Sequence, residues 1–138
     1  MPDALSNRLG RPIPVIRTRS AGSARTLVEW LAEGGLTVVE ITASVPEHTA
    51  VIRELASDRN LIIGAGTLTD AASADAVLAA GARFLVTPWV VSEVAERGRR
   101  ADVPTFLGAA TPTEAFNAWK CGATGVKVFP ITQLGGLD

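Results

Sequence analysis

Short runs of β-branched and other apolar residues alternate along the chain with longer, alanine-rich stretches whose apolar positions recur with helical period. This alternation is typical of βα units built around a parallel sheet. It predicts six strands, which are Ile13 to Arg17, Val38 to Ala43, Leu61 to Thr67, Phe84 to Pro88, Thr105 to Ala110 and Val126 to Pro130. It also predicts five helices, which are near Ser23 to Glu33, Glu47 to Ser57, Asp70 to Ala80, Val91 to Arg100 and Thr113 to Cys121.

Local signals at the helix ends support these boundaries. Ser23 and Asp70 stand at the start of helical runs, and the segment 111–114 (Thr-Pro-Thr-Glu) places proline in a first turn with an acidic residue after it. Three helices are followed by glycine, which readily adopts the left-handed conformation at a helix end. These glycines are Gly34, Gly81 and Gly122. The repeated unit indicates a fold made of βα repeats.

Two ionisable residues decide between an open doubly wound sheet and a closed (β/α)8 barrel. Glu40 lies within the second predicted strand and Lys127 within the sixth, each inside an otherwise apolar run. Because side chains alternate along a strand, Glu40 shares its face with Val38 and Thr42, and Lys127 shares its face with Phe129. A barrel turns both faces toward one cavity, whereas an open sheet buries unpaired charges under helices at a large cost. The alternation therefore favours an α/β fold of the (β/α)8 TIM-barrel type.

Composition narrows the classes of function. The 138 residues include 13 basic and 14 acidic side chains, a net charge of −1. Nucleic acids and anionic membranes select basic surfaces, so neither is expected as a partner. His48 and Cys121 are the only residues of their types. They are too few for a Cys/His zinc site, a disulfide or a choice of catalytic triads, and no metal or cofactor is expected.

The N-terminus gives no sign of a targeting signal. Residues 1–8 lack the apolar run of a signal peptide, and no stretch of about 18 uncharged apolar residues occurs anywhere in the sequence. The unpaired cysteine is typical of a reducing compartment. We therefore expect a cytoplasmic protein.

Lys127 is the sharpest candidate for chemistry, because Lys120 is the only other lysine among the 13 basic residues. A lysine amine in apolar surroundings can attack a carbonyl group and form a Schiff base. The alternative is a buried ion pair, or a lysine at a strand end that extends to solvent. Glu40 is either a general acid/base or the ion-pair partner of Lys127 or Arg17.

Four short motifs resemble those of one enzyme family. They are VEIT at 39–42, GAGT at 64–67, VTP at 86–88 and VKVFP at 126–130. In order and spacing they are similar to the motifs of the 2-keto-3-deoxy-6-phosphogluconate aldolases and their 6-phosphogalactonate relatives. The resemblance runs from about Pro12 to the end of the chain. It implies a class I aldolase on a (β/α)8 barrel, a homotrimer that cleaves a 2-keto-3-deoxy-6-phospho sugar acid to pyruvate and glyceraldehyde 3-phosphate without a metal.

The resemblance also implies a role for individual residues. Lys127 would form the Schiff base, and Glu40 would move protons during imine formation and carbon–carbon cleavage. Thr67 would hydrogen-bond the pyruvyl end of the substrate, and Pro88 and Phe129 would wall the pocket. Catalytic groups of a TIM barrel come from the C-terminal ends of several strands, which agrees with these positions.

One departure from the family pattern concerns the substrate carboxylate. In the gluconate branch an arginine commonly follows the strand-2 glutamate by four positions, but Ser44 stands there in this chain. The galactonate branch resembles this chain in having arginine at the end of strand 1, where Arg17 stands. Arg17 is therefore the candidate for binding the carboxylate, with a surface or structural arginine as the alternative. Arg17 and Ser44 therefore favour the galactonate isomer as the substrate, and the gluconate isomer stays open as the alternative.

Length is the second departure. Barrels of this kind have about 200 residues or more, and the loops after strands 7 and 8 typically hold the substrate phosphate. We therefore expect residues 1–138 to form a single barrel domain that is truncated after strand 6, with strands 7 and 8 absent. Weak activity at most is expected on a phosphorylated substrate. Completion by another chain through strand exchange is the alternative.

Two further classes of function stay open. A truncated paralogue without activity would act as a scaffold or interaction protein. The second class is a metal-dependent aldolase or a phosphate-binding epimerase, although one histidine and few inward carboxylates disfavour a metal.

Among the aromatic residues, Trp89 is expected at the pocket mouth, and Trp30 and Trp119 are expected to pack against the core.

Overall fold

The computed structural model of the chain describes residues 11–136. Within them, six strands alternate with five α-helices, and a 3₁₀ turn (Ile131–Leu134) follows the last strand. The strands are β1 (Val15–Ile16), β2 (Val38–Thr42), β3 (Ile62–Gly66), β4 (Leu85–Val86), β5 (Thr105–Ala109) and β6 (Gly125–Val128). The helices are α1 (Ala21–Glu33), α2 (His48–Leu55), α3 (Ala71–Ala79), α4 (Ser92–Ala101) and α5 (Pro112–Lys120). Residues 1–8, whose sequence shows no targeting signal, lie outside the described residues.

The six strands form one parallel sheet in sequence order, each pairing with the next. β2 and β3 pair over five residues, ending with Thr42 opposite Gly66. β5 and β6 pair over four residues, with Lys127 opposite Gly108. Sequential order is typical of the wall of a (β/α) barrel, whereas a doubly wound sheet reverses its strand order. The order therefore favours the barrel.

The helices cover the outer face of the sheet, and the largest buried cluster lies between the two layers. Its largest fully buried members are Ile41, Ile52, Ile63, Leu68 and Leu85. This apolar surface is the main source of stability. Two exposed ion pairs join neighbouring helices, Arg25 with Glu54 at 2.7 Å and Arg97 with Asp75 at 2.8 Å. Such surface pairs contribute about 1 kcal/mol or less each.

A smaller apolar cluster lines the inner face of the sheet. Val38, Phe84 and Val86 are buried there. Phe84 and Phe106 meet edge to face, with 6.3 Å between their ring centroids. Most members lie near the N-terminal ends of the strands, so this layer fills the lower interior and leaves the C-terminal ends to polar residues.

Each predicted strand and helix occurs, and the boundaries differ by a few residues. β1 and β4 comprise two residues each, whereas the sequence predicts five from Ile13 and five from Phe84. Pro14 precedes β1, and Pro88 lies just beyond Thr87 after β4. Proline has no N–H group to donate to a strand ladder, which shortens the regular pairing.

The helix caps confirm two predictions and correct one. The side chain of Asp70 caps α3. At α5, Thr111 accepts a hydrogen bond from the amide of Glu114, whose carboxylate accepts one from the amide of Thr111, a capping box. At α1 the predicted cap is wrong, because Ser20 accepts the bond and Ser23 supplies the amide, at 3.1 Å.

Two tryptophans lie in unexpected places. Trp30 of α1 and Trp119 of α5 are 63% and 67% exposed, so the prediction that they pack against the core is wrong. Their helices bury smaller residues instead, such as Val28 and Ala118.

Among the helices of residues 11–136, none has the length and apolar character needed to cross a membrane.

Replacing Thr111 by alanine should lower the free energy of unfolding by about 1 kcal/mol, because alanine cannot accept the hydrogen bond of the Glu114 amide. Thr113→Ala is the matched control: it lies exposed in the same turn and should cost less than about 0.5 kcal/mol. Urea denaturation followed by circular dichroism measures both variants. Equal losses would contradict the capping role.

Candidate active site

One cavity on the inner face holds both residues that the sequence singles out for chemistry. Glu40 enters it from β2 and Lys127 from β6. The cavity has a volume of about 180 Å³. Its lining residues are Ile13, Glu40, Phe84, Val86, Phe106 and Lys127. The period-2 alternation of the strands therefore brings an acid and an amine to one place, with apolar walls around them.

Glu40 is buried without a partner for one of its oxygens. The residue is 4% exposed, and Oε1 makes no hydrogen bond within the described structure. Burial raises the pKa of the carboxyl group, and the positive charges of Lys127 and then Arg17 oppose this rise. A carboxyl group with a raised pKa exchanges protons more readily near neutral pH than an ordinary glutamate, which suits a general acid/base.

Lys127 lines the cavity from β6, and an aromatic ring lies close to its amine. Its Nζ atom is 4.9 Å from the ring centroid of Phe129, within range of a cation–π interaction. Opposite Lys127 in the sheet is Gly108, and a Cβ at Gly108 would overlap the carbonyl group of Pro88. Phe129 therefore lies beside the amine, and Pro88 lies over β5 at Gly108.

Arg17 and Thr67 lie at the C-terminal edge of the sheet, directly after β1 and β3. Arg17 is exposed, and its Nη2 donates a hydrogen bond to Thr67 Oγ1 at 3.5 Å. Thr67 has φ of +61°, a left-handed conformation that is unusual for a β-branched residue. Such backbone strain costs about 1–3 kcal/mol and concentrates at functional sites.

Ser44 is connected to the same edge of the sheet by hydrogen bonds through Thr42, a residue to which the sequence analysis gave no role. Thr42 Oγ1 donates to the carbonyl of Ile16 at 3.1 Å and lies 2.8 Å from Ser44 Oγ. Because a hydroxyl group has a single proton, Ser44 must be the donor to Thr42. The pair fixes the backbone immediately before Arg17. The inward position of Thr42 in its strand was the only signal in the sequence.

Thr87 is a second residue that sequence reasoning missed. It is fully buried. Its Oγ1 accepts a hydrogen bond from the amide of Gly108 at 3.3 Å and donates one to the carbonyl of Trp89. These bonds hold the Pro88–Trp89 turn against β5. Trp89 itself is 55% exposed.

The part of the chain that the structure describes contains no group of three or more metal-ligating side chains. At the cavity, Glu40 is the one carboxylate among the lining residues. The cavity therefore combines one amine with one buried carboxyl group.

The fold and the site together are a parallel, sequentially ordered wall of the (β/α)-barrel type that turns one lysine and one buried glutamate toward a shared cavity. The chain belongs to the family described as KDPG and KHG aldolase, whose model matches residues 5–138. This membership comes from the comparison of sequences and agrees with the resemblance drawn from the four motifs.

The relatives include both branches of the family. The chain is 35% identical over 130 residues to 2-dehydro-3-deoxy-phosphogluconate aldolase of Pseudomonas aeruginosa, covering 94% of this chain and 59% of the relative. It is 32% identical over 125 residues to 2-dehydro-3-deoxy-6-phosphogalactonate aldolase of Escherichia coli, covering 89% of this chain and 61% of the relative. The chain thus spans about 60% of the length of the curated relatives it matches.

A solved structure confirms the fold class. KDPG aldolase from Legionella pneumophila, with pyruvate captured as a covalent carbinolamine intermediate, superimposes with a TM-score of 0.81 at 32% identity. The match covers 91% of this chain and 61% of that structure. The prediction of a TIM-barrel α/β fold is therefore confirmed.

Glu40→Gln should stabilise the protein at neutral pH. Because burial raises the pKa of Glu40 above 4.5, the folded state binds this proton more tightly than the unfolded state does. The carboxyl group therefore weakens the fold as pH rises from 4.5 through the folded-state pKa. The variant removes this penalty, so its advantage in thermal denaturation should grow over that range and disappear in acid.

Glu114→Gln is the matched control with the opposite sign. Hydrogen bonds, first from the Ala110 amide and then from Thr111, hold the pKa of Glu114 below its usual value of 4.5. Its carboxylate therefore stabilises the fold above that pH, and the benefit is lost as pH falls through the folded-state pKa. This variant should be less stable than the natural protein at neutral pH. Changes of the same sign in both variants would contradict the assignment.

Proposed function

We propose that the chain carries the reactive centre of a class I aldolase. Its substrate would be a 2-keto-3-deoxy-6-phospho sugar acid, cleaved to pyruvate and glyceraldehyde 3-phosphate. The observation that carries the proposal is the shared cavity of Lys127 and Glu40. None of the four ion pairs within residues 11–136 includes either residue, so neither group is committed to a salt bridge.

The proposed reaction begins at the amine of Lys127. The amine attacks the C2 carbonyl of the substrate, the carbinolamine loses water, and a protonated imine forms. Glu40 then accepts the proton of the C4 hydroxyl group, whose O–H electron pair forms the C=O bond of the aldehyde. The electron pair of the C3–C4 bond becomes the C2=C3 double bond, and the π pair of the imine moves to its nitrogen. The aldehyde leaves, the resulting enamine takes a proton at C3, and water releases pyruvate from the lysine.

The residues at the sheet edge support substrate binding in this proposal. Arg17 carries the positive charge that would pair with the substrate carboxylate. Its hydrogen bond to Thr67 brings a hydroxyl group to the same place. Ser44 lies beside Thr42 near this edge. The combination of Arg17 and Ser44 favours the galactonate isomer over the gluconate isomer.

We also propose a homotrimer located in the cytoplasm. Membership of the family supports the trimer. The single cysteine, Cys121, which is free in the structure, supports a reducing compartment.

Pyruvate alone is enough to test the proposed site, because the binding and trapping of pyruvate require only the amine, the acid and the carboxylate-binding residues.

Pyruvate and borohydride should attach one reduced pyruvyl group to Lys127, identified by peptide mass spectrometry. Lys127→Ala should abolish the adduct. Lys120→Ala is the matched control, since Lys120 is the only other lysine and lies exposed on α5 with its Nζ near Phe116. It should retain full labelling. An unlabelled natural chain would favour the scaffold alternative and count against the enzyme.

Arg17→Ala should weaken pyruvate binding by about 10-fold to 100-fold, the value of a hydrogen bond to a charged group. Arg19→Ala is the matched control: this exposed arginine lies two residues along the chain and should leave binding unchanged. The pyruvate concentration that gives half-maximal trapping measures both. Equal affinity of the two variants would place the carboxylate elsewhere.

A further inference from the structure

The inner face of β3 carries two glycines that lie under large neighbours. A Cβ at Gly64 would overlap the ring of Phe84, and a Cβ at Gly66 would overlap Oε1 and Cδ of Glu40. The Cγ atom of Glu40 would be only 2.8 Å from that same Cβ. The carboxyl group of Glu40 therefore lies directly on the α-carbon of Gly66, on the neighbouring strand.

The backbone at Gly66 does not itself require glycine. Gly66 is the last residue of β3, pairs with Thr42, and lies outside the left-handed region. Any L-residue adopts an extended strand conformation. The space above the α-carbon, which Glu40 fills, is what excludes a side chain.

The position of the carboxyl group matters because two positively charged side chains attract it, one in the same cavity and one at the edge of the sheet. Lys127 from β6 and Arg17 after β1 both attract Glu40, while β3 presents only glycines to it. A carboxylate free to swing toward them would form an ion pair. Such a pair would hold the amine as ammonium, which cannot attack a carbonyl.

We propose that Gly66 is a positioning residue for Glu40. Its bare α-carbon holds the carboxyl group over β3, apart from Lys127, so that the amine is free to attack and the acid is free to exchange protons. The functional part of this proposal rests on the proposed aldolase chemistry. The positional part rests on the contact alone and is tested separately.

Gly66→Ala should displace the carboxyl group without unfolding the protein, because the overlapping atoms are the end of a flexible side chain. The readout is exchange of the methyl protons of pyruvate with deuterium, followed by NMR. The exchange needs the imine at Lys127 and a base for the C3 proton. We expect its rate to fall about 100-fold, as for other small misplacements of a reacting group. End-point trapping of pyruvate on Lys127 should persist.

The pH profile of the exchange distinguishes displacement from general damage. Burial raises the pKa of Glu40 in the natural protein. The displaced carboxyl group would be nearer Lys127 and Arg17 and less buried, so the acid limb of the profile should move to lower pH. A rate loss with an unmoved profile would contradict the proposal, as would a folded Gly66→Ala variant with natural exchange.

Gly64→Ala is the matched control, on the same face of the same strand. Its Cβ meets the Phe84 ring rather than Glu40. Because Phe84 also lines the cavity, the variant should lower both stability and the exchange rate, but the acid limb of its pH profile should stay at the natural position. An equal shift of the acid limb in both variants would show that any side chain on β3 disturbs Glu40, and would overturn the specific role of Gly66.

A thermodynamic cycle tests the contact independently of activity. Unfolding is measured for Gly66→Ala, Glu40→Ala and the double variant. Truncating Glu40 removes the overlapping atoms, so Gly66→Ala should change the free energy of unfolding by a different amount in the Glu40→Ala background than in the natural protein. The same change in both backgrounds would overturn the proposal. If the natural chain forms no pyruvate adduct, the proposed aldolase function is rejected. The thermodynamic cycle still tests whether Gly66 positions the carboxyl group of Glu40.

Discussion

The burial of one carboxyl group without a partner is the constraint around which the site is arranged. An ionised carboxylate in apolar surroundings is costly, and Glu40 meets this cost with one oxygen unsatisfied. The charges of Lys127 and Arg17 reduce the penalty from a distance. A direct ion pair would reduce it further. Under the proposed function, such a pair would also make the amine and the carboxyl group unreactive together, so the interior gives up local stability for chemistry.

The outer face of the sheet packs the apolar core that stabilises the fold, whereas the inner face holds the cavity with Glu40 and Lys127. Helices and strands pack residues such as Ile41 and Ile63 into the outer core, which is closed and apolar. The inner face is filled only in its lower layer, by residues such as Phe84. Because strand side chains alternate, a reactive residue on the inner face adds no polar group to the outer core. The stability of the outer core can therefore offset the cost of a buried polar group without a hydrogen-bond partner on the inner face.

Much of the fold could be predicted from the sequence because its signals are local. Strand runs, helix periods and the caps at Asp70 and Thr111 depend on neighbouring residues along the chain. The shared face of Glu40 and Lys127 followed from alternation and the choice of a barrel. The contact between Gly66 and Glu40 could not be predicted, since it depends on the side-chain rotamer of another strand. The Thr42–Ser44 pair and the exposure of Trp30 likewise depend on tertiary packing.

The placement of the three tryptophans has a spectroscopic consequence. The chain has no tyrosine, so Trp30, Trp89 and Trp119 dominate its near-ultraviolet absorption. All three are more than half exposed in the folded protein, and their indole rings are already largely in water. Their emission is therefore a weak indicator of unfolding.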